Sequence, residues 1–131
     1  MKKNQKGFSL VELIIVIAIM AVLIGLLAPQ YLKFVKRSAV TADVSNANSL
    51  ADCVNAAIMD SVSMPATISG VGGTSVANLS GVKNLPYSKV DKSFVWVITS
   101  DSTQGVTQIT LNGKAIYPGD ASNEYYEEYY K

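Results

Sequence analysis

Residues 6–29 read KGFSLVELIIVIAIMAVLIGLLAP, and the fold turns on how this stretch is understood. From Phe8 to Ala28 only Ser9 and Glu12 interrupt an apolar run. A membrane-spanning helix needs about 20 mostly apolar residues, so the run is long enough. Lys2, Lys3 and Lys6 precede it, and Lys33, Lys36 and Arg37 follow it. Cations on both flanks give a weak orientation signal, although the short basic head favours a cytoplasmic N-terminus and an exported C-terminal part.

An ordinary secretory signal peptide is the first alternative. It would have a shorter apolar core followed by a small-x-small cleavage site. Here the run ends Leu26-Leu27-Ala28-Pro29, with a bulky Leu26 where a small residue is wanted, and no Cys follows that could take a lipid anchor. A plain single-pass anchor fits the length but accounts for neither Glu12 nor Gly7-Phe8. A carboxylate at the centre of a bilayer costs ~2.5–3.5 kcal/mol on insertion scales. Glu12 lies near the start of the run, where its side chain can reach interfacial water, and its retention there still calls for a partner.

Gly7, Phe8, Glu12 and the helix-length apolar run together resemble the N-terminus of a type IV pilin precursor. The resemblance covers residues 6–29 closely and the rest in architecture only. It implies that a prepilin peptidase removes residues 1–7 by cutting between Gly7 and Phe8, and that the new N-terminus of Phe8 is N-methylated by the same processing system. It also implies that Glu12 attracts the cationic terminal amine of Phe8 on an adjacent subunit during filament growth. A free α-amino group is largely protonated near neutral pH, so the attraction is physically sound. Burying such a pair rewards register more than stability, because desolvation nearly cancels the attraction.

Pro29 removes one helical hydrogen bond and favours a kink, and Gly25, one turn earlier, adds flexibility. The resemblance implies that helical order can be lost inside filaments between Ala21 and Pro29. Beyond Pro29, Val40, Val44, Ala47, Ala51, Val54, Ile58 and Val62 recur at steps of three and four, marking one face of a helix. Thr41, Asp43, Asn46, Asn48 and Asp52 are expected off that stripe. One long helix is therefore predicted over 8–61, apolar all round in its first half and amphipathic in its second, and stopped by Ser63-Met64-Pro65.

Residues 62–92, with Gly70, Gly72, Gly73, Gly81 and Pro86, are expected to form a loop region with a short helix near Val76 and Leu79. The β-branched and aromatic run Ser93-Phe94-Val95-Trp96-Val97-Ile98-Thr99 predicts a strand. A second strand is predicted over 106–111, with Thr107, Ile109 and Leu111 on one face. Asn112-Gly113 is a two-residue hairpin signal, because both positions need positive φ. A third strand over 114–117 ends at Pro118-Gly119. The expected fold class is thus α+β, a long N-terminal helix packed on a small antiparallel meander over 93–118. Phe94, Trp96 and Ile98 should face the helix stripe. The corresponding division is a leader (1–7), a membrane or filament-core helix (8–29) and a globular domain (30–131) with a Tyr-rich tail over 119–131. That tail packs on the sheet edge, contacts the next subunit, touches a host or abiotic surface, or frays.

The chain has 131 residues, a net charge of +1 and no His. Removing the leader lysines takes the basic count from 11 to 8 against 10 acidic residues, so the remainder is mildly acidic. That argues against a specific nucleic-acid partner. Cys53, the single cysteine, cannot form an internal disulfide and reads as a small buried residue. The sequence carries no metal-ligand cluster, phosphate loop or nucleophile motif, and neither an enzyme nor a cofactor is expected. Asp120, Ser122, Asn123 and Glu124 imitate a cation site only weakly, and none is assigned.

The expected function is a structural subunit that polymerises through its N-terminal helix into a type IV pilus, supporting adhesion, twitching motility or biofilm formation. The alternatives are a minor pilin, a pseudopilin of a type II secretion or DNA-uptake machine, or a membrane-anchored binding module that never polymerises. The implied partners are further copies of the chain, the prepilin peptidase and methyltransferase, the assembly platform and minor pilins. The membrane holds the chain before assembly, and the extracellular surface carries the finished filament.

Overall fold

A computed structural model describes residues 7–60, 62–76, 79, 81–118 and 124–130. The basic head, much of the short helix expected near Val76, the stop residue Gly119 and the candidate cation ligands Asp120, Ser122 and Asn123 lie outside the described residues. The chain divides into two compact units, Met1–Phe34 and Val35–Lys131. One helix, α1 (Leu10–Met59), supplies residues to both and is unbroken through Gly25 and Pro29.

In the first unit every described residue is exposed. The side chains from Leu10 to Leu27 offer apolar surface on all sides, and this part of α1 is long and apolar enough to cross a membrane. No described residue of the unit covers it, so the helix depends on lipid or on other helices to keep water away.

In the second unit α1 turns a stripe of Val40, Asp43, Val44, Ala47, Leu50, Ala51, Val54 and Ala57 into the core. The spacing follows the predicted stripe from Val40 to Val54, but Leu50 and Ala57 join it, Ile58 is only half-buried and Val62 lies beyond the end of α1. Asp43 was expected outside it and is fully buried. Val44, its neighbour on the stripe, shares its face at a helical step of 100°, and polar groups from two other segments neutralise the cost of bringing a carboxylate inside.

The sheet has four strands in the order β1 (Thr67–Val71), β2 (Val95–Asp101), β3 (Gly105–Leu111) and β4 (Lys114–Tyr117), each antiparallel to the next. The expected meander is present, but the three-stranded sheet over 93–118 is extended by β1, which lies in the stretch predicted as loop. β1 is five residues long and buries one side chain well, Ile68. A Gly inside so short a run weakens the local strand signal. The ladder that pairs Ile68 with Ile98 and Gly70 with Trp96 supplies what the local signal lacks.

The Asn112-Gly113 hairpin is as predicted, with φ of 51° and 76° and Leu111 paired with Lys114. Trp96, Ile98, Ile109, Leu111 and Ile116 are fully buried and join the α1 stripe in one core, with Phe94 packed at its margin. Thr107 departs from the predicted face and is exposed. A bulge in the pairing at Thr99/Ser100 shifts the alternation of the ladder beyond Gln108. The Thr107 hydroxyl instead donates to the Thr99 carbonyl at 3.1 Å.

Residues between β1 and β2 fold back on the sheet. The Gly73 and Leu85 amides donate to the Leu85 and Thr74 carbonyls at 2.8 and 2.9 Å. Val76, Leu79 and Leu85 enter the core from this segment. A short helix, α2 (Glu124–Tyr129), ends the described chain and lies beside β4. The described part of the Tyr-rich tail packs beside the sheet edge.

Candidate assembly site and its anchor in the globular unit

Gly7, Phe8 and Ser9 precede α1 in non-helical backbone, and the Phe8 ring is 85% exposed. The Gly7–Phe8 peptide bond is therefore outside the helix and open to solvent. Ser9 is the residue at which the helix begins. Its hydroxyl oxygen accepts from the Glu12 amide at 3.3 Å, and the Glu12 carboxylate accepts from the Ser9 amide at 2.8 Å. The two side chains satisfy each other's otherwise unpaired backbone donors, the reciprocal arrangement known as a capping box. The carboxylate also lies where the positive end of the helix dipole favours it.

Sequence reasoning treated Glu12 as a charge awaiting an amine and missed this local role. Ser9-Leu10-Val11-Glu12 carries the signal that would have revealed it, a Ser followed three positions later by Glu. Gly25 and Pro29 lie within unbroken α1, and a Cβ placed on Gly25 would meet no atom within 4 Å. The exposed apolar wall of the first unit runs between them and the capping box.

In the second unit the polar centre is Asp43. Its carboxylate accepts from the Ser88 hydroxyl at 2.7 Å, the Lys89 amide at 2.7 Å, the Val90 amide at 3.3 Å and the Tyr125 hydroxyl at 2.8 Å. Two segments far apart in sequence, residues 88–90 and α2, thus meet on one side chain of α1. Burial, the hydrogen bond to Asp43 and the negative charge of that carboxylate hold the Tyr125 hydroxyl well above its usual pKa. The Trp96 indole N–H donates to the Pro86 carbonyl at 2.8 Å, and the Asn55 side-chain oxygen accepts from the Val106 amide at 2.8 Å. No buried side-chain polar atom lacks a partner among the described residues. Cys53 is half-buried, with a free thiol, at the margin of the core. Among the described residues no group of His, Cys, Asp or Glu is arranged to hold a metal ion.

Residues 2–28 match the family model described as the prokaryotic N-terminal methylation motif. The chain is also 29% identical over 133 aligned positions to the type IV major fimbrial protein FimA of Dichelobacter nodosus, a match covering 88% of this chain and 81% of that protein.

Both findings support a type IV pilin.

Two further relatives show how the likeness is distributed along this pilin. The fimbrial protein EcpC of Eikenella corrodens is 28% identical over 119 positions, covering 91% of this chain and 71% of that one. A fimbrial protein of Pseudomonas aeruginosa is 41% identical over only 58 positions, covering 44% of this chain and 38% of the other. Identity is higher where the match is short. No solved structure matches the chain. The matched motif contains the capping box and most of the exposed apolar helix, whereas the Asp43 centre lies in the second unit, beyond it.

Proposed function

We propose that this pilin is a pilus-forming structural subunit whose exposed apolar helix is the polymerising element. One observation carries the reading: from Leu10 to Leu27 the helix offers apolar side chains all round, and none of them is covered by the described residues of its unit. Before assembly the membrane supplies the cover. In the filament the same helix from other copies supplies it. Such a contact joins different surfaces of successive copies and does not close, so it grows open-endedly.

The N-terminal chemistry is proposed as follows. A prepilin peptidase cuts between Gly7 and Phe8, and the exposed, non-helical backbone there suits a protease that must reach both sides of the bond. Phe8 is then N-methylated. Its cationic amine meets Glu12 of a neighbouring copy, which fixes the axial register of the two helices. Gly25 and Pro29 provide the place where α1 can bend or open locally when packed. The family naming supports a structural rather than a catalytic role. Adhesion, surface motility and biofilm formation are the activities such a filament would support, with an assembly platform and minor pilins as partners at its base.

The test is direct. Surface material sheared from cells should contain long filaments that carry this protein, and mass spectrometry should show chains beginning at Phe8 with one added methyl group. Chains retaining residues 1–7 inside functional filaments would overturn the processing step. Monomers confined to the membrane fraction would favour a non-polymerising anchor, and short or scarce filaments a minor pilin or pseudopilin.

A further inference from the structure

We propose that residues 124–130 form a releasable strap, closed over the globular unit by the buried hydrogen bond between Tyr125 and Asp43. The proposal goes beyond polymerisation and stands on the second unit alone. Tyr125 is the only residue of α2 that is fully buried, and its hydroxyl reaches the carboxylate from 82 positions away in sequence. The chain has one cysteine, so no disulfide within it can perform this tethering.

The other contacts of the strap lie at the margin of the core, where Tyr126 and Tyr129 are half-buried. Tyr129 packs against Phe94 and Tyr125 with ring centroids 5.4 and 4.8 Å apart, and its hydroxyl accepts from the Asn112 side-chain amide at 3.2 Å. The Tyr130 ring lies 5.2 Å beneath the Arg37 guanidinium. The Glu124 carboxylate accepts the Ala115 amide at 3.4 Å, a long contact that occupies one donor on the outer edge of β4.

These contacts make the strap a cover for an edge strand. β4 pairs with β3 on one side only, and α2 lies beside it. Exposed strand edges invite pairing with other chains, and proteins commonly cover them. Closure also builds a groove of about 450 Å³, with Glu128 and Tyr129 facing Val35, Lys36 and Ala39 of α1 and Lys89 and Val90 of the adjoining segment. Release would remove the cover and the groove together, yet leave the α1 stripe, β2 and β3 packed.

A six-residue helix has too few internal hydrogen bonds to persist alone. Its order must come from its anchors, and the Tyr125–Asp43 bond is the buried one. Opening therefore withdraws the Tyr125 ring from the margin of the core and breaks its hydrogen bond to Asp43 together with the Asn112 and Glu124 contacts, while the α1 stripe, β2 and β3 keep their own packing.

Hydrogen–deuterium exchange on the full chain in detergent micelles tests this, comparing the unaltered protein with Tyr125→Phe and, as a control at the strap surface, Tyr130→Phe. In Tyr125→Phe, exchange should rise about tenfold or more across 114–117 and 124–130 while 40–58 and 95–111 stay protected. Tyr130→Phe should change little. Unchanged exchange over 124–130 in Tyr125→Phe would overturn the proposal. So would a uniform rise across the unit, or failure of that variant to fold, since either would tie the strap to the rest of the unit rather than let it open by itself.

Discussion

The Tyr125 hydroxyl donates a 2.8 Å hydrogen bond to the carboxylate of Asp43, and the two side chains are both fully buried. Asp43 has three other donors to satisfy, all from Ser88, Lys89 and Val90. Replacing it with Ala strands four donors in the interior. Each unsatisfied buried group costs roughly 1–3 kcal/mol. Asp43→Ala should lower unfolding stability by about 3 kcal/mol or more, read as a shift in the urea midpoint with unchanged slope. Ser88→Ala, which leaves three donors in place, should cost about 1.5 kcal/mol.

The same bond sets an alkaline limit. Burial and the adjacent carboxylate raise the Tyr125 pKa in the folded state. An ordinary Tyr ionises near pH 10, so the unfolded chain loses this proton first. The stabilising contribution is complete below about pH 10 and shrinks as pH rises beyond it. Ultraviolet titration of tyrosinate should show Tyr125 ionising only when the strap opens or the chain unfolds, and Tyr125→Phe should remove that coupled step.

Trp96 is the single tryptophan and is fully buried. Its emission should be blue-shifted in the folded chain and move to the red on unfolding. Trp96→Phe keeps most of the apolar bulk but leaves the Pro86 carbonyl without its donor. A loss of about 2 kcal/mol is expected in denaturant unfolding followed by circular dichroism.

Two glycines should respond differently to Ala. A Cβ on Gly72 would lie 2.5 Å from the backbone Cα of Tyr87, so the backbone itself must move. Gly72→Ala should cost about 1–3 kcal/mol. Gly113 has open space around it, and its φ of 76° leaves only the conformational penalty. Gly113→Ala should cost about 1 kcal/mol and leave the hairpin register intact. Thermal unfolding of the pair gives the comparison.

Glu12 has two separable roles to test. Glu12→Gln keeps a side chain able to close the capping box but removes the charge. Ser9→Ala keeps the charge and removes the hydroxyl partner, at about 1 kcal/mol of helix-end stability. Sheared filament yield should collapse in Glu12→Gln and remain near normal in Ser9→Ala. Normal yield from Glu12→Gln would mean that the carboxylate serves the helix end and not the neighbouring amine.

The sequence made the apolar helix, the α1 stripe and the Asn112-Gly113 hairpin legible, because each is governed by a local or periodic rule. Phe94, Trp96 and Ile98 could be assigned to one face for the same reason. β1 escaped because its stability comes from pairing with β2, whose Ile98 lies 30 positions beyond its partner Ile68. Asp43 escaped because burial of a carboxylate is decided by donors from residues 88–90 and 125, which no pattern near residue 43 announces. Thr107 was misplaced by a bulge, which breaks alternation without a reliable mark in sequence. The capping box was legible from Ser9 and Glu12, but attention to the carboxylate's charge obscured its hydrogen bonds.

The naked greasy surface from Leu10 to Leu27 also bears on reversibility. A helix moving from acyl chains into a bundle of its own kind exchanges one dry environment for another. Dehydration of apolar surface, which drives most protein association, therefore nearly cancels between the two states. Fit between side chains and a handful of polar contacts decide the direction. A subunit handed back to lipid regains an equivalent setting, whereas one released into water does not. Dismantling such a polymer without loss of protein thus requires a bilayer at the point of release.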